Sequence, residues 1–457
     1  MLKLATATAA ICLISIGPAS AISLKRAVEK AISTHPSVLA AAARKRARDA
    51  RINQANSKLF PTVSVDGDVG YEKIDKPGTF STATNNRWRN RKQLNLSVKY
   101  VIFDGLERAN RIYYSAAQAD AASRRVMVQA EEIALDAVEA YIDHRRHRFL
   151  VHIATQNIQA HQRILRLARA RVSGGKATTS EVDVVRERLY AAQAAREEVI
   201  KASLEADARF KSIIGQKPGK THRVAWPKGM PRSRSAAVAQ AIQHHPEIAA
   251  AAAEADAHGF DVERLKGINL PEVALEGSAS VGEDVAGSPG RNNSLQALLK
   301  LRWTVFDGNL RKHERSEASA KQAEARHKRD LEIRNLSEKI ESSWAAIVTG
   351  ARRNNRLERQ SVTARSVSAS YRKEYQASKR GLLEVLEAEN SVFNSRFESV
   401  SAAGVHLFNA YRLKALTGTL VSSLGLQAPA HARANYRARI PSNRSGFNIT
   451  IQPLRTD

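Results

Sequence analysis

Cysteine is all but absent. The chain of 457 residues has one, Cys12. It falls in a segment expected to be removed on export, so the mature protein is expected to carry no disulfide. That segment has Lys3 as a charged start, an apolar core from Ala5 to Ile16 and a small-residue cleavage site, Ala19-Ser20-Ala21. These are the marks of a secretory signal peptide over residues 1–21. Its core is too short to cross a bilayer as a helix. Bulky Ile11 precedes Cys12 and the apolar core runs on past it, which speaks against a lipoprotein signal. Long apolar runs are missing from the rest of the chain, which excludes transmembrane helices. Spanning β-strands, whose signal is weaker, stay open. No Gly-rich phosphate loop, His-Glu-x-x-His zinc pattern or nucleophile elbow occurs. No group of residue types converges on catalysis, so no enzyme, metal or cofactor is expected.

Acid is also in short supply. Lys and Arg number 72 against 45 Asp and Glu, a formal net charge of +27. Such a balance raises the question of nucleic acid. The basic residues, however, are spread along helical stretches, as in Arg44-Lys45-Arg46 and Arg352-Arg353. They read as solvated faces, and export removes the chain from cytoplasmic nucleic acid. Anionic lipid head groups are the better match for a basic surface. His144 and His147 have a helical spacing that can hold a metal, but Arg145, Arg146 and Arg148 around them repel cations. His244-His245 precede Pro246 and are expected to cap a helix or face solvent.

What is present is a duplication. Tyr100-Val101-Ile102-Phe103-Asp104-Gly105 returns 203 positions later as Trp303-Thr304-Val305-Phe306-Asp307-Gly308. Before it, Ala27-Val28…His35-Pro36 returns as Ala237-Val238…His245-Pro246, and Phe60-Pro61 as Leu270-Pro271, at an offset of 210. After it, the 203 offset holds to Gly215 and Gly418. The domain reading is therefore a first repeat over 22–215, a linker over 216–235, a second repeat over 236–426 and an aperiodic basic tail over 427–457, expected to be disordered. The seven extra residues of the first copy lie between its two strands, which marks a surface loop containing Phe80 and Trp88.

Each repeat reads the same way. A short helix ends before His-Pro, and the proline opens a second helix. In the first repeat these are about Leu24 to Ser33 and Pro36 to Lys58. Two strands of about ten residues follow, the length of a tilted membrane strand. In the first pair Val63, Val65, Val69 and Tyr71 alternate with Ser64, Asp66 and Asp68. Then Leu94, Leu96, Val98, Tyr100 and Ile102 alternate with Gln93, Asn95, Ser97 and Lys99. In the second pair Val273, Leu275, Ala279 and Val281 oppose Glu272, Glu276 and Ser280. Leu295, Leu299, Leu301, Trp303 and Val305 oppose Gln296, Lys300 and Arg302. A soluble sandwich has the same period. Aromatic residues at strand ends, Tyr71, Tyr100 and Trp303, favour a membrane girdle. Four strands cannot close, and an open edge is not tolerated in lipid. Two, three or four copies would give eight, twelve or sixteen strands, and the strands alone leave that choice open.

At the strand–helix corners Asp104-Gly105 and Asp307-Gly308, Asp is expected to cap the next helix. Glu107 would complete a capping box in the first copy, and Leu310 cannot in the second. The first of these helices runs to about Arg171, roughly 100 Å at 1.5 Å per residue. It breaks at Val172-Ser173-Gly174-Gly175 and resumes from about Thr178 to Ile214. The second copy runs from Asp307 to about Gln376 and resumes over Leu382–Leu416. Val138, Tyr141 and Ile142 mark an apolar packing stripe.

This duplicated helix–strand–strand–long helix–turn–helix unit behind a signal peptide resembles the TolC family of outer-membrane export channels, and most closely its type I secretion branch. His35-Pro36, Phe60-Pro61, Tyr100 to Gly105, Trp303 to Gly308, Gly175 to Val182 and Tyr375 to Glu389 carry the resemblance over about residues 24–426. It implies an α+β membrane protein: a trimeric channel-tunnel with four strands per chain in a shared 12-stranded barrel, and a long periplasmic α-helical barrel. It implies the outer membrane as location. The function implied is the exit duct of a tripartite efflux or type I secretion system, exporting toxic or hydrophobic small compounds, proteins or both. Its partners would be a periplasmic adaptor (membrane fusion protein), an inner-membrane pump or ABC transporter, and outer-membrane lipid.

Roles carry over by position. Gly174, Gly175, Lys176, Ser378 and Lys379 match the adaptor-docking tips. Ser378 stands where the family usually has glycine, so the second turn is expected to be built differently. Arg380 and Tyr375, with Ser180 and Glu181 as partners, match a gate or latch at the periplasmic tip. Glu384 and Glu387 match an acidic ring at the tunnel entrance; ordinary solvated helix charges are the alternative. A soluble periplasmic coiled-coil adaptor or scaffold is the competing reading of the whole chain. It leaves the strand pairs unexplained.

Overall fold

The computed structural model describes residues 22–75 and 85–440. The expected signal segment with Cys12, the loop residue Phe80 and the tail from 441 onward lie outside the described residues. The element order is a repeat. Helices α1 (Leu24–Thr34) and α2 (Pro36–Ser57), strands β1 (Thr62–Lys73) and β2 (Trp88–Phe103), and helices α3 (Glu107–Ser173) and α4 (Thr179–Ile214) form the first copy. Helices α5 (Arg234–His244) and α6 (Pro246–Gly267), strands β3 (Glu272–Glu283) and β4 (Arg291–Arg302), and helices α7 (Leu310–Gln376) and α8 (Leu382–Leu416) form the second. A short α9 (Leu420–Ser423) follows. Both long helices have 67 residues. Each His-Pro junction uses one device: the His35 and His245 rings each accept the backbone N–H two residues on, at 3.3 Å.

Contacts divide the chain into two compact units. One, built from residues 40–128, 245–335 and the tail from 429, holds the sheet. Its four strands are antiparallel in the order β1-β2-β3-β4. The register lines up one apolar row across all four, Val65–Leu96–Ala279–Leu295, beside polar rows such as Ser64–Ser97–Ser278–Gln296. The face carrying the apolar row is bare, with Leu295 85 % exposed and Val69 and Tyr71 above 70 %. The polar face is laced by ion pairs, Lys99 with Glu272 at 3.0 Å and Lys300 with Glu276 at 2.6 Å.

The repeated hexapeptides end differently. β2 continues to Phe103 because β3 pairs with it there, Tyr100 opposite Leu275. β4 stops at Arg302 rather than at Val305 as expected. The next rung would pair Trp303 with Pro271, which has no N–H to give, and among the described residues β4 has no strand on its other side. Trp303 Nε1 donates instead to the Asn269 carbonyl at 3.1 Å.

The corners also differ from expectation. Two successive left-handed residues, Gly105 (φ 67°) with Leu106 (φ 69°) and Gly308 (φ 69°) with Asn309 (φ 68°), turn the chain before each long helix. Asp104 and Asp307 then lie two residues before the N-cap positions, too far back for a capping box. Each accepts the N–H four residues on, Arg108 at 3.1 Å and Arg311 at 3.3 Å, and ion-pairs the same arginine. Glu107 pairs with Arg111 at 2.6 Å instead. Gly105 is packed so closely on Gly267 that a Cβ on either would overlap the other's carbonyl oxygen.

Tail residues 427–440 take up a packed structure, against the expectation of disorder. Tyr436 is fully buried in a cluster with Ile52, Ile112, Tyr113 and Ala116. Its N–H donates to Asp120 at 2.6 Å, and its hydroxyl bonds Asp49 at 2.9 Å and buried Lys45 at 3.2 Å.

The other unit holds α1, α4, α5, α8, α9 and the later parts of α3 and α7. Val138, Tyr141 and Ile142 are buried there as expected. The Tyr141 hydroxyl donates to the carbonyls of Ile22 at 2.8 Å and His222 at 3.1 Å, which pins the linker to the helices. His144 bonds Asp207 at 2.5 Å, and the His147 ring donates to the Asp143 carbonyl. The two histidines therefore have separate partners.

Candidate functional site

The site built by the repeat lies at the two turns, α3 to α4 and α7 to α8, in a single unit. Both helices end in the same hydrogen-bond pattern. Lys176 N–H reaches the Arg171 carbonyl at 2.8 Å, and Lys379 N–H reaches Glu374 at 2.9 Å. These six-to-one bonds make a Schellman turn, which needs a left-handed residue. Gly175 supplies it at φ 69°, and Ser378 at φ 60°. The second turn is thus built like the first, contrary to the expectation. The serine takes on the strain that a glycine avoids. Gly174, Gly175, Lys176, Ser378 and Lys379 are all exposed.

Behind the turns lies an apolar cluster of Ile164, Leu165, Val185, Leu189, Leu382, Val385 and Leu386, with Tyr375 at its edge. Tyr375 is 1 % exposed, and its hydroxyl donates to Glu181 Oε2 at 2.7 Å, tying α7 to α4. Burial, then the Glu181 bond, push the phenol well above its usual value. It stays a donor throughout the working pH range. Arg171 covers the other side of the ring at 4.4 Å. Its guanidinium donates to the Tyr375 carbonyl, to Ser378 Oγ at 3.3 Å and to the Lys176 carbonyl at 3.2 Å. One arginine therefore holds both turns. Ser180 is exposed and bonds Thr178 at 2.8 Å.

Arg380 does not meet Ser180 or Glu181 within the chain. It lies over the Tyr371 ring at 3.7 Å, pairs with Glu374 at 2.6 Å and with Glu384 at 2.8 Å. The other Glu384 oxygen accepts the Gly381 N–H at 3.2 Å, closing the start of α8. Glu384 is thus half spent on the turn. Glu387, one turn along, is exposed and has no partner among the described residues. Glu389 is buried and held by Ser368 at 2.6 Å and Arg372 at 3.2 Å. Arg171, Glu374 and Glu389 were not singled out in the sequence. A basic residue in the last turn of a helix before Gly-Gly is a legible signal for Arg171; the other two look like any helix acid.

The corner residues Asp104, Gly105, Asp307 and Gly308 sit at the strand–helix joints described above. The aromatic residues occupy strand ends: Tyr71 at the hairpin end of β1, and Tyr100 and Trp303 at the opposite ends of their hairpins, each at least 40 % exposed. No helix among the described residues is long and apolar enough to cross a membrane. The surface that fits lipid is the apolar sheet face.

The sequence profile of the outer membrane efflux protein family matches residues 27–216 and 237–419, the two repeats. The chain belongs to the outer membrane efflux protein family. It is similar to the outer membrane efflux protein BepC of Brucella suis biovar 1, 24 % identical over 410 residues, which cover 88 % of this chain and 87 % of BepC. Its fold matches that of the outer membrane protein VceC of Vibrio cholerae, with a TM-score of 0.73 at 17 % identity over 89 % of this chain and 97 % of VceC. It also matches the MtrE outer membrane channel of Neisseria gonorrhoeae, solved in an open state, with a TM-score of 0.68 at 14 % identity over 87 % and 89 % of the two chains. This efflux protein is therefore an outer-membrane export channel with the TolC-like α+β architecture, and its family and fold are those of transport channels. The scaffold reading leaves both its location and its sheet without an explanation.

Proposed function

We propose that this efflux protein is a passive duct that assembles as a homotrimer, with twelve strands closing one barrel and its tip turns serving as gate and docking end. Energy and cargo selection would come from an inner-membrane pump or ABC transporter reached through a periplasmic adaptor. The observation that carries the reading is the sheet: one face apolar and bare, and both edges, β1 and β4, unpaired among the described residues over 12 residues each. Backbone groups left open in lipid cost several kcal/mol each. The β2–β3 pairing, which joins the two repeats, is the template for β4 pairing with β1 of a second copy.

The long helices support the same reading. Val367 on α7 is 38 % exposed, while its counterpart Ile164 on α3 is 2 % exposed. The second repeat lacks a cover that the first one has, and another chain would supply it.

In this reading the Tyr375–Glu181 bond and the Arg380 pairs keep the tip closed. The exit is to be tested by planar-bilayer conductance of the detergent-purified protein, beside Arg380→Ser and Tyr375→Phe. Small steps that grow in both variants are expected. Equal steps in all three proteins would refute the gate. A protein that extracts in plain buffer and conducts in no variant would refute the duct itself.

A further inference from the structure

A cavity of about 790 Å³ lies between the middle of α3, linker residues 219–226 and the later part of α8. Its volume is that of a small-molecule site. No carboxylate lines it among the described residues. Two of its lining residues bind acids that lie outside the lining: Arg146 pairs with Asp143 at 3.0 Å, and His144 with Asp207. Arg148, Lys220 and Arg223 also line the cavity; they are exposed, and their side chains make no hydrogen bond or ion pair among the described residues. Trp226, 45 % exposed, stacks on His406 with ring centroids 4.9 Å apart, and Phe149, 48 % exposed, lies in the same lining. Two bare aromatic surfaces beside three free cations form neither a packed core nor an ordinary solvated face, where acids would alternate with bases.

We propose that this cavity binds a small organic anion: a carboxylate, sulfonate or phosphate group carried on a flat apolar body. The guanidinium groups of Arg148 and Arg223 give the head group paired donors, and Trp226 and Phe149 give the body its stacking surfaces. The bound anion bridges the linker to α3 and α8, so it stabilises the folded chain by mass action. The proposal does not depend on the duct or on the gate.

The test is titration calorimetry on the full-length detergent-purified protein at low salt, with 2-naphthalenesulfonate as the probe and 2-naphthalenemethanol as its uncharged counterpart. The sulfonate is expected to bind one per chain and at least tenfold more tightly than the alcohol. Arg148→Ala/Arg223→Ala should weaken it at least tenfold, and Trp226→Leu should weaken both probes. Arg166→Ala/Arg169→Ala, an equal change of charge at exposed residues elsewhere on α3, should leave binding unchanged. The five substituted side chains are exposed, and unaltered melting of the variants without probe checks the fold. Equal binding of the two probes, undiminished binding in the double variant, or an equal loss in the Arg166/Arg169 control would overturn the proposal. So would failure of the wild type to bind, the result expected if another copy of the chain fills the cavity.

Discussion

Glu131 makes the packing of the segment after α8 depend on pH, in a direction opposite to that of most carboxylates. It is 4 % exposed on α3, and its two oxygens accept the first N–H groups of α9, Leu420 at 3.0 Å and Val421 at 3.2 Å. Burial outweighs those two donors and the attraction of Lys414, and pushes the carboxyl up from 4.5 to about 7. When α9 swings away, Glu131 meets water and titrates near its ordinary value. Below about pH 4.5 it is neutral in both states and adds no pH dependence. Between there and pH 7 the open state sheds its proton while the closed state keeps it. The closed form then loses up to about 1.4 kcal/mol per pH unit, and about 3 kcal/mol in all. That is roughly 300-fold in the opening equilibrium, about two decades of it between pH 5 and pH 7.5. Hydrogen exchange of a peptide covering residues 417–426, corrected for intrinsic rates, reads this directly. Protection should fall by about two decades from pH 5 to pH 7.5 and then level off. Glu131→Gln, which cannot ionise, should give a flat profile. Wild-type protection that holds or rises across this range would refute the reasoning, because that is the behaviour of a carboxylate stabilised by the N–H groups more than it is penalised by burial.

The tip offers a test of strain. Ser378→Gly should tighten the second turn by about 1 kcal/mol, read as slower exchange over residues 374–382, because glycine adopts the left-handed region without the penalty a side chain meets. The two entrance acids should prove unequal: Glu387→Gln should shift the reversal potential in a salt gradient toward anions more than Glu384→Gln, whose carboxylate Arg380 already compensates. The corners should prove unequal as well. Gly105→Ala forces a methyl into the Gly267 carbonyl and should abolish assembly or lower the melting temperature steeply. Gly308→Ala has open space around it and should cost only the roughly 1 kcal/mol of a strained backbone.

The parts of this fold that were legible in the sequence are those where a local period repeats. Two copies of a period-2 stretch followed by a period-3.6 stretch place both long helices to within a few residues and locate all four strands, although β2 starts at Trp88, which reads as loop; the β2–β3 register keeps the two apolar faces continuous. What failed was decided by a contact to a residue far along the chain, or by a backbone state no period encodes. β4 ends early because of Pro271, some thirty positions back. Asp104 misses the capping box because Gly105 and Leu106 both turn left-handed, and the sequence advertises only the glycine. The tail reads as disordered because it is aperiodic, yet residues 427–440 are packed in place with Tyr436 as their anchor. Tyr436 fills the gap between Ile52 and Tyr113, and its hydroxyl and N–H meet partners on α2 and α3. The tip shows the same division. Its turns are legible as Gly-Gly and Ser-Lys after a helical run, and Tyr375 and Glu181 do meet. The partners of Arg380, however, are Glu374 and Glu384, six and four residues away in its own chain. An arginine satisfied locally stiffens its own turn first, so any tie it makes to a neighbouring chain must compete with two carboxylates already in hand. In a closed tip the Tyr375–Glu181 bond is therefore the stronger candidate for the contact that opening must break.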